Sequence, residues 1–307
     1  MINPNSVISS QNDREREHCR IVSLNPTLKT IDELFQDLIK EAATPLKGFF
    51  RQPPKSDLFS QKEIGFIANQ CSFDNGSYGF GLDYGYYMKI YRSYELCLVE
   101  GYEAFIDYVD MEKEKGKSSA KKLFKDERFR KIRDLVNCDT SPHPKVRDLL
   151  FLTVDPMYPM WKDFATVVFV NQKSTAESFK CYFNNVHKLK TEAVIGRPKN
   201  KKEREEYAEI FRKLESRELD IVFVSKVIKE DEEDKETKAD MVIHFSMPKR
   251  KVWRIARSNI AAKSKYIRGG QVYFICLNHD FDKAPYMSSF PWPKKKKKTN
   301  QTELFVT

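Results

Sequence analysis

What the chain lacks narrows its chemistry first. Its 307 residues contain six cysteines, Cys19, Cys71, Cys97, Cys138, Cys181 and Cys276, with no Cys-x-x-Cys and no Cys/His pair at metal-ligand spacing. That scatter argues against a zinc site, and the cysteines read as reduced thiols of a cytosolic or nuclear protein. The five histidines are equally dispersed and suggest neither nucleophilic nor metal chemistry. No apolar run approaches the ~20 residues of a membrane span. The polar N-terminus carries no signal-peptide pattern, so neither membrane nor secretory targeting is expected. A phosphate-binding loop is missing too. The single Gly-Lys-Ser, Gly116-Lys117-Ser118, has Met111 where the loop needs Gly and follows a helical pattern instead of a buried strand. It reads as a helix–helix turn. Asp231-Glu232-Glu233-Asp234 spells a DExD box, but a metal-holding acid ends a buried strand. This run follows Lys229-Glu230 and reads as a solvated acidic loop. The chain therefore holds no complete ATPase of its own, and no cofactor is expected.

What is present is a foldable, basic chain. Hydrophobic content of 40% with 22 Phe supports globular folding, and the length accommodates two domains, each with a core. The formal charge is +10, from 54 Lys+Arg against 44 Asp+Glu, which suits a polyanionic partner. Lys294 to Lys298 alone supply five of those charges, so a soluble surface with a basic tail explains much of the excess.

Along the chain, residues 1–27 are polar, without period, and read as a disordered arm. Residues 28–140 read as an all-α unit with no strand of its own. Leu28 to Phe50 is an amphipathic helix with Ile31, Leu34, Phe35, Leu38 and Ile39 on one face, kinked or ended at Pro45. Ser60-Gln-Lys-Glu63 has the form of a capping box opening a helix through Gln70, and Ser72 to Gly81 reads as a loop. A long pattern from Leu82 to Glu114, interrupted at Gly101, places Ile90, Tyr94, Cys97, Leu98, Phe105 and Tyr108 at helical spacing, as core instead of a stacking platform. Lys113 to Lys122 reads as a solvated, lysine-rich turn, Phe124 to Val136 as a short helix, and Asn137 to Pro144 as a linker. Residues 141–284 then alternate buried strands and helices: Thr166–Val170, Ser174–Phe183, Ala193–Gly196, Lys201–Leu214, Ile221–Val224, Asp240–Phe245 and Gln271–Leu277. Apolar runs of that length between helices predict an α/β fold with a parallel sheet. Lys226 to Lys238 interrupts it as a polar loop, and residues 285–307 form a basic tail.

From Gly81 to Leu277 the order of segments resembles the Hef/FANCM/Mph1 family of DNA-repair translocases within superfamily 2 helicases. The segments are "LDYGYYMKIYRSYELCLVEGYEAFIDYV", "GKSSAKKLFKDERF", "HPKVRDLL", "TVVFV", "VIG", "EIFRKLESRELDIVFVSKV" and "ADMVIHF". RIG-I-like receptors share much of the plan. The resemblance implies a helical, thumb-like insertion followed by a RecA-like helicase C-terminal domain opening at His143-Pro144-Lys145. Thr166–Val170 matches helicase motif IV, Val194-Ile-Gly196 the strand and glycine after it, and Phe211 with Ile221–Val224 a later segment. It also implies DNA binding, a nuclear repair context with the protein partners of a repair complex, and ATP with Mg²⁺ only where a first motor domain is supplied elsewhere. The chain departs from the pattern where ATP is handled. Motif V retains only Ser225 and Glu230. Motif VI retains Arg257, has Lys263 for its last Arg, and has Ile260 for the middle one. An arginine finger contributes ~10³-fold or more in rate, and neither isoleucine nor lysine reproduces its planar fork. Poor or absent hydrolysis is expected.

What remains is a basic surface: Lys249, Arg250, Lys251, Arg254, Arg257, Lys263, Lys265 and Arg268, interleaved with Trp253 and Tyr266. Such residues neutralise phosphates and the aromatics could stack on bases; a solvated helix with Trp253 buried on the sheet accounts for the same pattern. Lys294–Lys298 reads as a nuclear localisation signal, a phosphate clamp or a solubilising tail. The resulting expectation is a degenerate helicase-like protein binding branched or single-stranded nucleic acid. The alternatives are a C-terminal portion of an ATP-dependent helicase, or an inactive interaction scaffold.

Overall fold

The computed structural model describes residues 17–73, 78–155, 164–196, 198–225, 238–246, 260–261 and 270–279. Six strands, β1 (Glu17–Val22), β2 (Thr166–Phe169), β3 (Thr191–Val194), β4 (Ile221–Val224), β5 (Met241–His244) and β6 (Gln271–Leu277), form one sheet of order β1-β6-β5-β2-β4-β3. Every pairing is parallel. β2, β4 and β5 are buried at every position, as expected where helices cover both faces. The α/β class with a parallel sheet is thus the observed one.

The period of two sorts the strand residues between two cores. Val168, Phe223, Ile243 and Ile275 point to one face, where α7 (Pro144–Thr153) and α8 (Lys173–Val186) pack. Val167, Val222, Val242 and Phe274 point to the other with Leu214 of α9 (Lys201–Glu215). At the carboxyl end of that second face Phe169, His244 and Phe274, aligned in register, stack at 5.6 and 4.6 Å between ring centroids.

The helical part comprises α1 (Pro26–Lys47), α2 (Gln61–Phe73), α3 (Tyr78–Glu95), a π turn (Leu96–Glu100), α4 (Tyr102–Lys115), α5 (Ser118–Lys125) and α6 (Glu127–Cys138). The Asn25 side chain accepts the Leu28 N–H at 2.7 Å and caps α1, an arrangement that contributes about 1 kcal/mol. Pro45 is accommodated within α1, whose last residue follows two positions later. The capping box forms: Ser60 N–H donates to Glu63 at 2.6 Å and Glu63 N–H to the Ser60 hydroxyl at 3.4 Å. Phe35 is central to the bundle, with Tyr94, Phe105 and Phe129 rings within 5.2 to 6.4 Å of it. Ile90, Tyr94, Cys97, Leu98 and Phe105 are buried and Tyr108 partly so; these are core residues. Gly116, in the left-handed region, ends α4 before α5, so Gly-Lys-Ser is indeed a helix–helix turn. Apolar packing runs without a gap from this bundle onto the first face of the sheet.

Several expectations need correction. Residues 17–22 belong to no disordered arm: they form the edge strand β1 beside β6. Arg20 makes a two-pronged bond to Asp148 on α7 at 2.6 and 2.7 Å, and His18 stacks on Tyr273 at 5.0 Å. The strand pattern is weak because only Cys19 and Val22 are buried; the pairing comes from β6, more than 250 residues away. α1 starts at Pro26, and the region of the proposed 72–81 loop is helical to Phe73 and again from Tyr78. The expected Lys113–Lys122 turn is mostly helical, with α4 running to Lys115 and α5 starting at Ser118, and the expected Phe124–Val136 helix starts only after Asp126, which leaves the helical conformation to cap α6.

Candidate nucleic-acid interface

All six strands point the same way, so their carboxyl ends form one edge. Chain direction reverses across the sheet at β2: α8 leads to β3 on one side of it, with β4 between, and β5 returns to the other side. In open α/β sheets a ligand crevice lies at such a reversal, outside the carboxyl ends. At this edge the chain places a buried carboxyl of its own. The π turn closes with Gly101 N–H donating to the Leu96 carbonyl at 3.0 Å, and Gly101, at φ 103°, breaks the helix before α4. This delivers Glu100, 2% exposed, to the end of β2, where its carboxyl accepts the Asn171 N–H at 3.3 Å. Burial pushes that carboxyl above the usual carboxylate range, against the opposing pull of Ser246, the Lys145 charge and Thr175. The Ser246 and Thr175 hydroxyls act on it without completing an aligned bond. Lys145 is fully buried, its ammonium 4.8 Å from the centre of the Phe245 ring. His143-Pro144-Lys145 therefore works as a join: His143 Nδ1 caps α7 by accepting the Lys145 N–H at 3.3 Å, Pro144 occupies the first helical turn, and Lys145 faces the helical part. An anionic ligand entering this crevice would meet a buried carboxyl.

Along the same edge, Gly196 after β3 takes a φ of 67° and lies under Lys173, whose Cε is 3.3 Å from where a Cβ would stand. Lys173 is exposed at the start of α8. Ser225 follows β4 with its hydroxyl buried and unbonded. The amino end of α9 is taken by the chain itself: Asn200 accepts the Glu203 N–H at 2.8 Å, and the Glu203 carboxylate accepts the Lys199 N–H at 2.6 Å.

Lys249, Arg250, Lys251, Arg254, Arg257, Lys263, Lys265 and Arg268 all lie outside the described residues, as do Trp253, Tyr266, Glu230, the Asp231–Asp234 run and the Lys294–Lys298 run. Ile260 is described, and it is a core residue. It is 8% exposed and packs in the second core with Val242 and Val272. Its carbonyl accepts the Ala239 N–H at 3.4 Å. Gly270 permits this closeness, since a Cβ there would lie 2.4 Å from the Asp240 carbonyl and 2.7 Å from that of Ala261.

A basic feature absent from the sequence-based candidates lies on α5. Ala120 and Leu123 face the bundle, while Lys117, Lys121 and Lys125 are exposed. Lys121 and Lys125, four apart, share a helix face, and Lys117 precedes them at the N-cap, so the three make a short basic stripe. None of them makes an ion pair among the described residues; neighbouring Lys122 pairs with Asp83 at 3.4 Å. The spacing was visible in the sequence, but the segment reads there as a turn, which has no face.

The architecture is a RecA-type α/β fold like that of helicase domains. No protein-family model matches the chain and no curated protein matches it. Among solved structures, the Pyrococcus furiosus Hef helicase domain superposes with a TM-score of 0.65 at 20% identity, covering 89% of this chain and 57% of that one. The C-terminal part of the Fun30 ATPase domain gives a TM-score of 0.50 at 11% identity, covering 90% of this chain and 88% of that one. The chain thus spans somewhat over half of the Hef domain structure. Among the described residues no helix is long and apolar enough to cross a membrane.

Proposed function

We propose that this chain is a degenerate, helicase-related protein that grips branched or single-stranded nucleic acid, DNA above all, and does not hydrolyse ATP by itself. The observation that carries the grip is the exposed lysine stripe Lys117, Lys121 and Lys125 at α5, without an ion pair among the described residues, on a helicase-like frame. The loss of hydrolysis rests on Ile260: its side chain is spent on the core, where the resemblance calls for an arginine directed at a nucleotide. A helical part ending near residue 140 and a RecA-like part from residue 141 are the two units of this reading. A DNA-repair context, repair-complex partners of the Hef/FANCM/Mph1 type and a nuclear location directed by Lys294–Lys298 complete it. The test is a salt-dependent affinity measurement with forked, single-stranded and duplex DNA, beside ATP hydrolysis with and without the fork. Binding at low salt with no turnover is expected; no binding at low salt refutes the reading.

A second reading is favoured by the 57% coverage of the Hef structure: the chain is the C-terminal portion of an ATP-dependent translocase. An upstream coding segment with a phosphate-binding loop and a DExH strand would establish it; its absence leaves the first reading.

A further inference from the structure

Besides its lysines, the helical part carries a series of aromatic rings that runs from core to surface. Tyr87 of α3 is fully buried, and its hydroxyl is fixed by the Phe59 N–H at 2.9 Å and the Asp57 carbonyl at 3.0 Å. Phe59, also buried, lies 4.9 Å from it between ring centroids. Phe50, after α1, lies 5.8 Å from Phe59 and is half-buried. Phe66 of α2 ends the series, 5.2 Å from Phe50 with the two planes 33° apart. It is 41% exposed.

The outer ring stands beside open space. Gly65 next to it is exposed, and nothing lies within 4 Å of where a Cβ would stand there. Lys62, one turn before Phe66, and Asn69 and Gln70, one turn after it, are exposed and lie on its side of α2. Arg51 follows Phe50 directly and Lys55 lies in the same connection; both are exposed. Among the described residues none of Arg51, Lys55 and Lys62 is in an ion pair. The nearby acids are engaged: Asp57 pairs with Lys47 at 2.7 Å, and Glu63 accepts the Ser60 N–H. A single exposed ring is ordinary on a protein surface. This one is backed by three others fixed at their inner end and is bordered by three uncompensated cations, which together make a rigid platform for an anionic, flat ligand.

We propose that Phe66 is a stacking platform for an unpaired base of a single-stranded segment, with the phosphates beside that base on Arg51, Lys55 and Lys62. The proposal rests on the nucleic-acid reading above and says which part of the helical unit takes the bases. A base extends the series of rings by one member, and stacking on an aromatic side chain tolerates any sequence. The cations neutralise the adjoining phosphates, while Asn69 and Gln70 offer amide groups to a base edge. A second copy of this chain is the wrong occupant, because a two-fold contact would set the same cations against each other. An apolar protein segment would gain nothing from them.

The test uses the full chain, a fluorescent oligothymidylate and an abasic strand of equal length, which keeps the phosphates and has no bases. The wild type is expected to prefer the thymidylate by about fivefold or more, the lower end of the range for one base on an aromatic ring. Phe66→Ala should cut that preference by a similar factor and leave abasic affinity and salt slope unchanged, since the ring carries no charge; Phe66→Trp should keep the preference. Replacing Arg51, Lys55 and Lys62 together by Gln should weaken both strands and flatten their salt dependence. Equal affinity of the wild type for the two strands, an unchanged preference in Phe66→Ala, an equal loss for both strands in that variant, or an unchanged salt slope in the Gln variant overturns the proposal and leaves the α5 stripe standing. No binding of either strand by the wild type at low salt refutes the nucleic-acid reading itself.

Discussion

If the α5 stripe holds nucleic acid, replacing Lys117, Lys121 and Lys125 together by Gln must change the salt dependence of binding by a calculable amount. Each ammonium that neutralises a phosphate releases counterions, and log K falls with log salt by about 0.9 per contact on duplex and about 0.7 on a single strand. Three contacts therefore account for a slope of about 2.7 on duplex and about 2.1 on single strands. Between about 50 and 200 mM salt, a fourfold range, the wild type should lose about 40-fold more duplex affinity than the triple variant. Glutamine keeps length and polarity, the positions are exposed, and such surface changes alter stability by about 0.5 kcal/mol or less, so melting temperature serves as the folding control. Fluorescence anisotropy across a salt series gives both lines. Parallel lines of equal height would refute the stripe as a contact surface; a drop in affinity with unchanged slope would mean that the lysines act on the fold and not on phosphate.

Glu100→Gln tests the buried carboxyl at the sheet's edge. The folded-state value of Glu100 is raised above the ordinary 4.5 by burial, so the stability linked to it is complete below about pH 4.5 and declines as pH rises through the folded value. The variant should match wild type in acid and exceed it increasingly toward neutral and alkaline pH in thermal melts; a constant deficit would contradict the assignment. Gly270→Ala should destabilise by about 1–3 kcal/mol, because both close neighbours are backbone carbonyls that cannot swing away; an unchanged melting temperature would refute the close approach. Phe35→Ala should cost about 3–5 kcal/mol, since the fully buried ring is packed against three others, and denaturant unfolding measures it. Arg20→Ala removes two bonds to Asp148 and a stack on Phe151 at 4.8 Å, and should speed amide exchange in β1 ahead of the central strands.

The sheet was readable because its central strands are buried at every position and lie between helices, and Ile221–Val224 and Gln271–Leu277 occur where their residues place them. The bundle core was readable for the same reason, with Ile90, Tyr94 and Phe105 repeating at helical spacing. β1 was not readable. Glu17-His-Cys-Arg-Ile-Val22 mixes charge with apolar residues, and what makes it a strand is the edge of β6 and the partner Asp148, neither of which is local. α5 was hidden likewise, since its five lysines or serines in eight residues read as a solvated turn, and only the burial of Ala120 and Leu123 against the bundle makes it a helix.

The candidate site divides along the same line between identity and placement. Ile260 could be judged from identity alone: an isoleucine has no charge to offer a phosphate, and its burial beside Val242 and Val272 adds only where the side chain goes instead. Glu100 could not, because in sequence it is one more acid in a helical stretch. Its role depends on the five-residue turn that ends at Gly101, a conformation that strains other residues, and on Asn171, Thr175 and Ser246 arriving from elements far along the chain. The two residues nevertheless bear on one question. On the proposed reading, the position where a motor would need an arginine holds an apolar residue in the core; at the carboxyl edge, where a parallel sheet ordinarily leaves a crevice, stands a buried carboxyl. Either change alone could be an accident of drift in a working enzyme. Together, on that reading, they oppose a bound nucleotide from two directions, one by withholding an arginine and the other by placing a carboxyl at the sheet's edge. Restoring only Arg at position 260 should therefore not restore turnover.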